Sequence, residues 1–197
     1  MKDANSETVP MTPADLLSDQ LRWHWDNHLR PHLEGLSDDE YFWEPVPGCW
    51  SLRPRAESTS AMAAGSGDLV ADFAVPEPSP APVTTIAWRI GHLLVGVFGM
   101  RNASHFGGPP IDYLTVEWPT SAAAALERLD AAYDLWMSSI SDLDRDALAR
   151  PIGEAEGPWA ELPMAALILH IHREVIHHGA EILLLRDLYR AQNHVSR

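Results

Sequence analysis

Four stretches of the chain repeat apolar residues at the spacing of a helix face. In the first, Leu17, Leu21, Trp25 and Leu29 recur every fourth position, and Thr12 followed by Pro13 offers an N-cap hydroxyl and a first-turn proline. That pattern predicts a helix to about Leu33. The second runs from about Thr85 to Ala103, with Ile86, Ile90, Leu93, Leu94 and Val97 on one stripe. A third is expected to be capped by Thr120 and keeps its period through Leu126, Leu129, Tyr133, Trp136 and Ile140; a fourth starts near Pro163 and reaches about Arg190. Between the first two, "GLSDDEYFWEPVPGCWSLRPR" reads as an aromatic-rich turn region broken by Pro45, Pro47 and Gly48. Residues 54–83 have no sustained period and are rich in small residues, Pro, Gly and Ser. They read as a semi-ordered excursion in which "DLVADFAV" could pair as a short strand. The predicted fold is all-α: a four-helix bundle with a long Pro/Gly/Ser-rich excursion between helices 1 and 2. One domain is expected over residues 12–190, with a flexible lead at 1–11 and a tail at 191–197.

Composition narrows the function classes. The 197 residues suffice for one domain with a proper core. The formal net charge of -14, with no basic run, disfavours a nucleic-acid ligand. No apolar run is long enough to predict a membrane span, and "MKDANSETVPMTPADLL" lacks the apolar core of a signal peptide. The single cysteine, Cys49, excludes an internal disulfide framework, fits a cytoplasmic location, and reads as a small packed residue rather than a nucleophile. Arginine replaces lysine almost throughout, beside much alanine, proline and glycine, the composition of a GC-rich genome.

The chemistry concentrates in the fourth helix, where "LILHIHREVIHHGAEI" carries His170, His172, Glu174, His177 and His178 among apolar residues. Polar side chains drawn out of water need partners, and a cluster of ligand-type residues suggests a metal. Glu174 and His178 stand four apart, one above the other, at the margin of the arc formed by Leu167, Ile171, Val175 and Ile182. They supply two ligands of a divalent site; His92, from the middle of the second helix, is the expected third. Two histidines and a carboxylate leave a coordination position open, as catalytic zinc sites do. His172 and His177 are one residue too far apart for the "HExxH" zinc-protease pattern, so that reading is discarded. His170 is the leading substitute ligand or a partner behind the ligands, and His170 and His177 are the candidates for a general base. Glu181 could accept the second N–H of a ligand imidazole. The competing account is a set of hydrogen-bonded core histidines without metal. The stripe His24, His28 and His32 on the first helix reads as a solvated edge or pocket wall.

The "IAWRIGH" of the second helix, the late "REVIHHGAEI" and the early "YFWEPVPGCWSLRP" together resemble the DinB-like superfamily of four-helix-bundle metalloproteins, over roughly residues 12 to 190. Many members of that superfamily use a histidine of helix two and an "HxxxH" pair of the last helix. Here the first member of the pair is Glu174, which resembles the mycothiol-dependent maleylpyruvate isomerase branch. The isomerase has a further C-terminal domain in its active site, so isomerase activity is not carried over. The resemblance implies a divalent metal (zinc first, nickel or manganese in reserve) and a low-molecular-weight thiol such as mycothiol activated for transfer to a small electrophile. The alternatives are a metal-dependent hydrolase and a non-enzymatic metal or small-ligand binding module; a homodimer through helix faces stays open.

Overall fold

A computed structural model describes residues 11–58 and 60–194. Residues 1–10 of the expected lead and 195–197 of the expected tail lie outside them. Thr12 caps α1 (Pro13–His24) in a reciprocal capping box with Asp15. The first apolar stripe continues as a π-helical turn, Trp25–Leu29, and a 3-10 turn, Pro31–Leu33. Ser37 and Glu40 form a second capping box at the head of the short α2 (Asp38–Tyr41). The second stripe is split in the same manner: Thr85 caps α3 (Ile86–His92), Leu93–Gly99 is π-helical, and α4 (Met100–Phe106) follows. Ser121, rather than Thr120, caps α5 (Ala122–Ser141). Asp144 caps α6 (Arg145–Ala149), a 3-10 segment spans Glu154–Trp159, and α7 (Met164–His194) closes the described chain.

The helices pack on one another through their apolar stripes. α1 lies against α5 and α7, α3 against α5 and α7, and α4 against α5. Leu21, Leu29, Ile86, Ile90, Leu93, Phe98, Leu129, Trp136, Ile140, Ile168, Ile171, Val175 and Ile182 meet in one core. Each such aliphatic or aromatic side chain contributes about 1.5–3 kcal/mol on burial. Among the described residues no helix is long and apolar enough to cross a membrane.

The all-α expectation needs correcting. The segment between the first two helical runs holds three strands, β1 (Leu52–Pro54), β2 (Met62–Ala64) and β3 (Leu69–Phe73), in an antiparallel sheet with β3 at its centre. The "DLVADFAV" stretch thus pairs on both edges. The other two strands have three residues each, too few for a two-residue alternation to stand out from surrounding Pro, Gly and Ser. The sheet is closed at its base: Trp50 N–H donates to Val83 O and Thr85 N–H to Trp50 O, both at 2.9 Å. Ser51 Oγ adds a 3.0 Å bond to Oγ1 of Thr85, the α3 cap. Both ends of the excursion therefore meet at the start of the helix that carries His92.

Candidate metal centre

His92 ends α3, and Glu174 and His178 occupy successive turns of α7. The packing of α3 on α7 brings one ligand-type atom of each within 4.8 Å of the others. His178 Nε2 stands 3.3 Å from Glu174 Oε2, and the His92 and His178 rings meet edge to face at 4.9 Å between centroids. Two ligands of a tetrahedral zinc at 2.0–2.2 Å would lie about 3.4 Å apart, so the donor set and its spacing fit such an ion.

The outer nitrogens of both imidazoles are held. His178 Nδ1 is 2.7 Å from Glu181 Oε2. A carboxylate accepts only, so Nδ1 carries the proton and Nε2 presents its lone pair to Glu174 and His92. Arg89 Nη1 also approaches Nδ1, at 3.4 Å, but two donors cannot share one bond, and the short carboxylate contact prevails. Arg89 instead holds Glu181, with Nε 3.1 Å from Oε2. His92 Nδ1 lies 2.8 Å from the Tyr113 hydroxyl; with Nδ1–H donating there, Nε2 is free on the inner side. Burial, reinforced by the neighbouring His178, Arg89 and Arg101, lowers the His92 pKa from near 6.5 to about 3, so the ring is neutral and able to ligate at ordinary pH. Burial also raises Tyr113 to about 12, keeping it a neutral phenol.

Aromatic groups build the surroundings. Trp88, one turn before His92, stacks on it at 5.8 Å and 16°. The Trp88 indole N–H donates to the Asp72 carbonyl of β3 at 2.8 Å, while Phe73 stacks on Tyr113 at 5.8 Å. Residues of the excursion therefore border the cluster. Asp72 is 3% exposed and accepts from Ser51 N–H, Arg53 Nε–H and Ser58 Oγ–H, which fixes β3 to its own segment. Gly96 is a close-approach position: a Cβ there would sit 2.2 Å from the Tyr113 hydroxyl and 3.1 Å from His92 Nδ1.

The remaining histidines do not join the trio, though two of them stand beside it. His170 Nδ1 is 3.7 Å from Glu174 Oε1 and takes a hydrogen bond from Arg173, on a side chain 44% exposed. His177 is 64% exposed and faces Glu181 at 3.6 Å; with His178 and Glu181 it makes a second cluster of ligand-type atoms that shares only His178 with the first centre. His172 belongs to the core: fully buried, it accepts from the Trp136 indole N–H at 3.2 Å, and burial lowers its pKa to about 4. His24 is half-buried with Nε2 unpartnered, close to Gly179, while His28 and His32 are exposed. Cys49 is buried, and burial raises its pKa, as for a packed thiol rather than a nucleophile. Tyr113 and Arg89 carried no expectation. Arg89 is visible as the third residue before His92, whereas Tyr113 sits in a connection whose one local signal is the turn made by Asp112, which accepts from Leu114 and Thr115 N–H.

The family model of the DinB superfamily matches residues 20–182, most of the chain, and the chain belongs to that superfamily. No curated protein and no solved structure matched it.

Proposed function

We propose that this member of the DinB superfamily is a four-helix-bundle metalloprotein in which His92, Glu174 and His178 hold one divalent ion, with zinc the first choice. The observation that carries the reading is the convergence of three acceptors. With Glu181 fixing the proton on His178 Nδ1, the His178 Nε2 lone pair faces a carboxylate oxygen at 3.3 Å, and neutral His92 joins them. Like-signed partial charges so placed repel unless a positive charge lies between them. A proton would satisfy the His178–Glu174 pair alone; a cation satisfies all three. The ligands are nitrogen and oxygen, which admits nickel or manganese as well.

The activity we favour is transfer of a low-molecular-weight thiol, of the mycothiol kind, to a small electrophile. A divalent ion with three protein ligands lowers the pKa of a thiol at its open position, making the nucleophile without a separate base. The chain's own residues do the rest. Glu181 and Tyr113 hold the two imidazoles in orientation, and Trp88, Phe73 and Tyr113 keep the surroundings apolar. The exposed His170 and His177 remain candidates for moving a proton at the rim. Hydrolysis by water at the same position is the second reading, favoured if turnover needs no thiol.

The test is elemental analysis of protein purified without a histidine tag, then turnover with a thiol and electrophile panel. About one equivalent of metal in the wild type and none in His178→Ala supports the centre; equal metal in both refutes it. Turnover that is unchanged when thiol is omitted refutes the transferase.

A further inference from the structure

Next to the trio, a cavity of about 450 Å³ opens between α4, the 3-10 segment and the first turns of α7. A roomier one, of about 670 Å³, lies between the π-helical segment, α4 and α5, and neither is lined by His92 or His178. The smaller cavity touches the centre through His170, which lines it and lies 3.7 Å from Glu174. Its walls divide by chemistry. Ile152, Leu162, Leu167 and the largely exposed Trp159 make an apolar side, and Arg101 and Arg173 bring two guanidinium groups.

Those two arginines are not equivalent. Arg101 is committed: it pairs with the buried Glu156 at 3.1 Å, which also takes His105 at 3.0 Å, and it donates to Gly96 O. One carboxylate thus answers Arg101 and fixes the 3-10 wall to α4. Arg173 makes no ion pair among the described residues; its hydrogen bond goes to a neutral-type acceptor, His170 Nδ1, at 3.0 Å. A guanidinium left with its charge unmatched, at the mouth of a mostly apolar cavity, is a matched receptor for a carboxylate on an apolar body. Of the two guanidinium groups that line the cavity, only that of Arg173 has no carboxylate partner among the described residues.

We propose that this cavity binds the non-thiol substrate, and that this substrate is a small amphipathic carboxylate whose charged end lies on Arg173 and whose apolar body packs against Ile152, Leu162 and Trp159. The assignment as substrate rests on the metal-centre reading, because His170, which lines the cavity, lies 3.7 Å from Glu174, one of the residues proposed to hold the ion. Binding in the cavity itself does not depend on the metal.

The experiment is calorimetric titration of the full chain, zinc-loaded and metal-free, with phenylbutyrate and with its uncharged analogue phenylbutanol. The carboxylate is expected to bind at least about tenfold tighter than the alcohol, the scale of one charge-assisted hydrogen bond. Arg173→Gln, at an exposed position that leaves the core intact, should erase that preference, and His178→Ala should keep it. Equal affinity for the two probes overturns the proposal, as does an unchanged preference in Arg173→Gln or no binding at millimolar carboxylate. Loss of the preference in His178→Ala or in metal-free protein also overturns it, because the carboxylate would then be sitting on the metal. Metal absent from the wild type, with the preference intact, defeats the metal-centre reading and leaves the cavity assignment standing.

Discussion

Gly96→Ala offers a test of how the centre is built, because one methyl group is aimed at one hydrogen bond. The new Cβ would lie 2.2 Å from the Tyr113 hydroxyl and no nearer than 3.1 Å to His92, so the phenol must retreat by about 1 Å to reach an ordinary contact distance. A 2.8 Å bond to His92 Nδ1 does not survive that shift. Leaving the buried imidazole N–H unpaired costs about 1–3 kcal/mol. The gain from replacing a helical glycine by alanine is roughly 0.5–1 kcal/mol in the opposite direction. The net expectation is a loss of about 1–2 kcal/mol in stability, with zinc affinity lower by about 10–100-fold, the usual effect of removing a group behind a ligand. Tyr113→Phe should lower zinc affinity to a similar degree. Adding Gly96→Ala in that background should then change little, since the atom it collides with is gone. The assay is zinc competition against a colorimetric chelator for the wild type, both single variants and the double variant, alongside urea unfolding. Independent, additive losses in the double variant would refute the hydrogen bond as the common cause.

Two further outcomes are expected. Chelator treatment should lower the melting temperature of the wild type and leave His178→Ala nearly unmoved, because ligands brought together only in the native state tie metal affinity to folding; equal shifts in both would show another target for the chelator. His172 has its folded pKa depressed from near 6.5 to about 4, so its contribution is complete above about pH 6.5 and is lost as pH falls through about 4, the unfolded chain taking up the proton first. Urea midpoints for His172→Gln, which keeps an acceptor for Trp136, should therefore fall less steeply with acid than wild type, by about 1.4 kcal/mol per pH unit in that window; parallel slopes would contradict it.

What the sequence made legible was what a helix repeats. Apolar spacing located the helical runs, and the four-residue step from Glu174 to His178, with Glu181 behind, could be read directly because a helix converts spacing into direction. His92 was reachable for the same reason. The π-helical turns were not, since Leu93–Gly99 is apolar enough to satisfy either winding. Of the sheet only the central strand, within "DLVADFAV", could be read; its order depends on pairing between segments rather than on any one of them. Tyr113 escaped because a loop side chain has no period: its position follows from the path of the connection across Gly96, a fact of tertiary structure. His172 shows the limit of residue type as a guide. It shares a helix with Glu174 and His178, yet its side chain points into the core at Trp136.

The way the sheet is attached bears on how such a protein can diversify. Trp88 grips β3 through the carbonyl of Asp72, and Trp118 grips β2 through the carbonyl of Ala64, at 2.8 and 2.7 Å. A carbonyl oxygen is common to every residue, so these two anchors do not read side chains at all. Drift or selection can therefore rewrite outward-facing strand positions while the sheet stays fastened beside His92. The sheet beside His92 is mounted like an interchangeable part, and its outward-facing positions can change without renegotiating the helical frame.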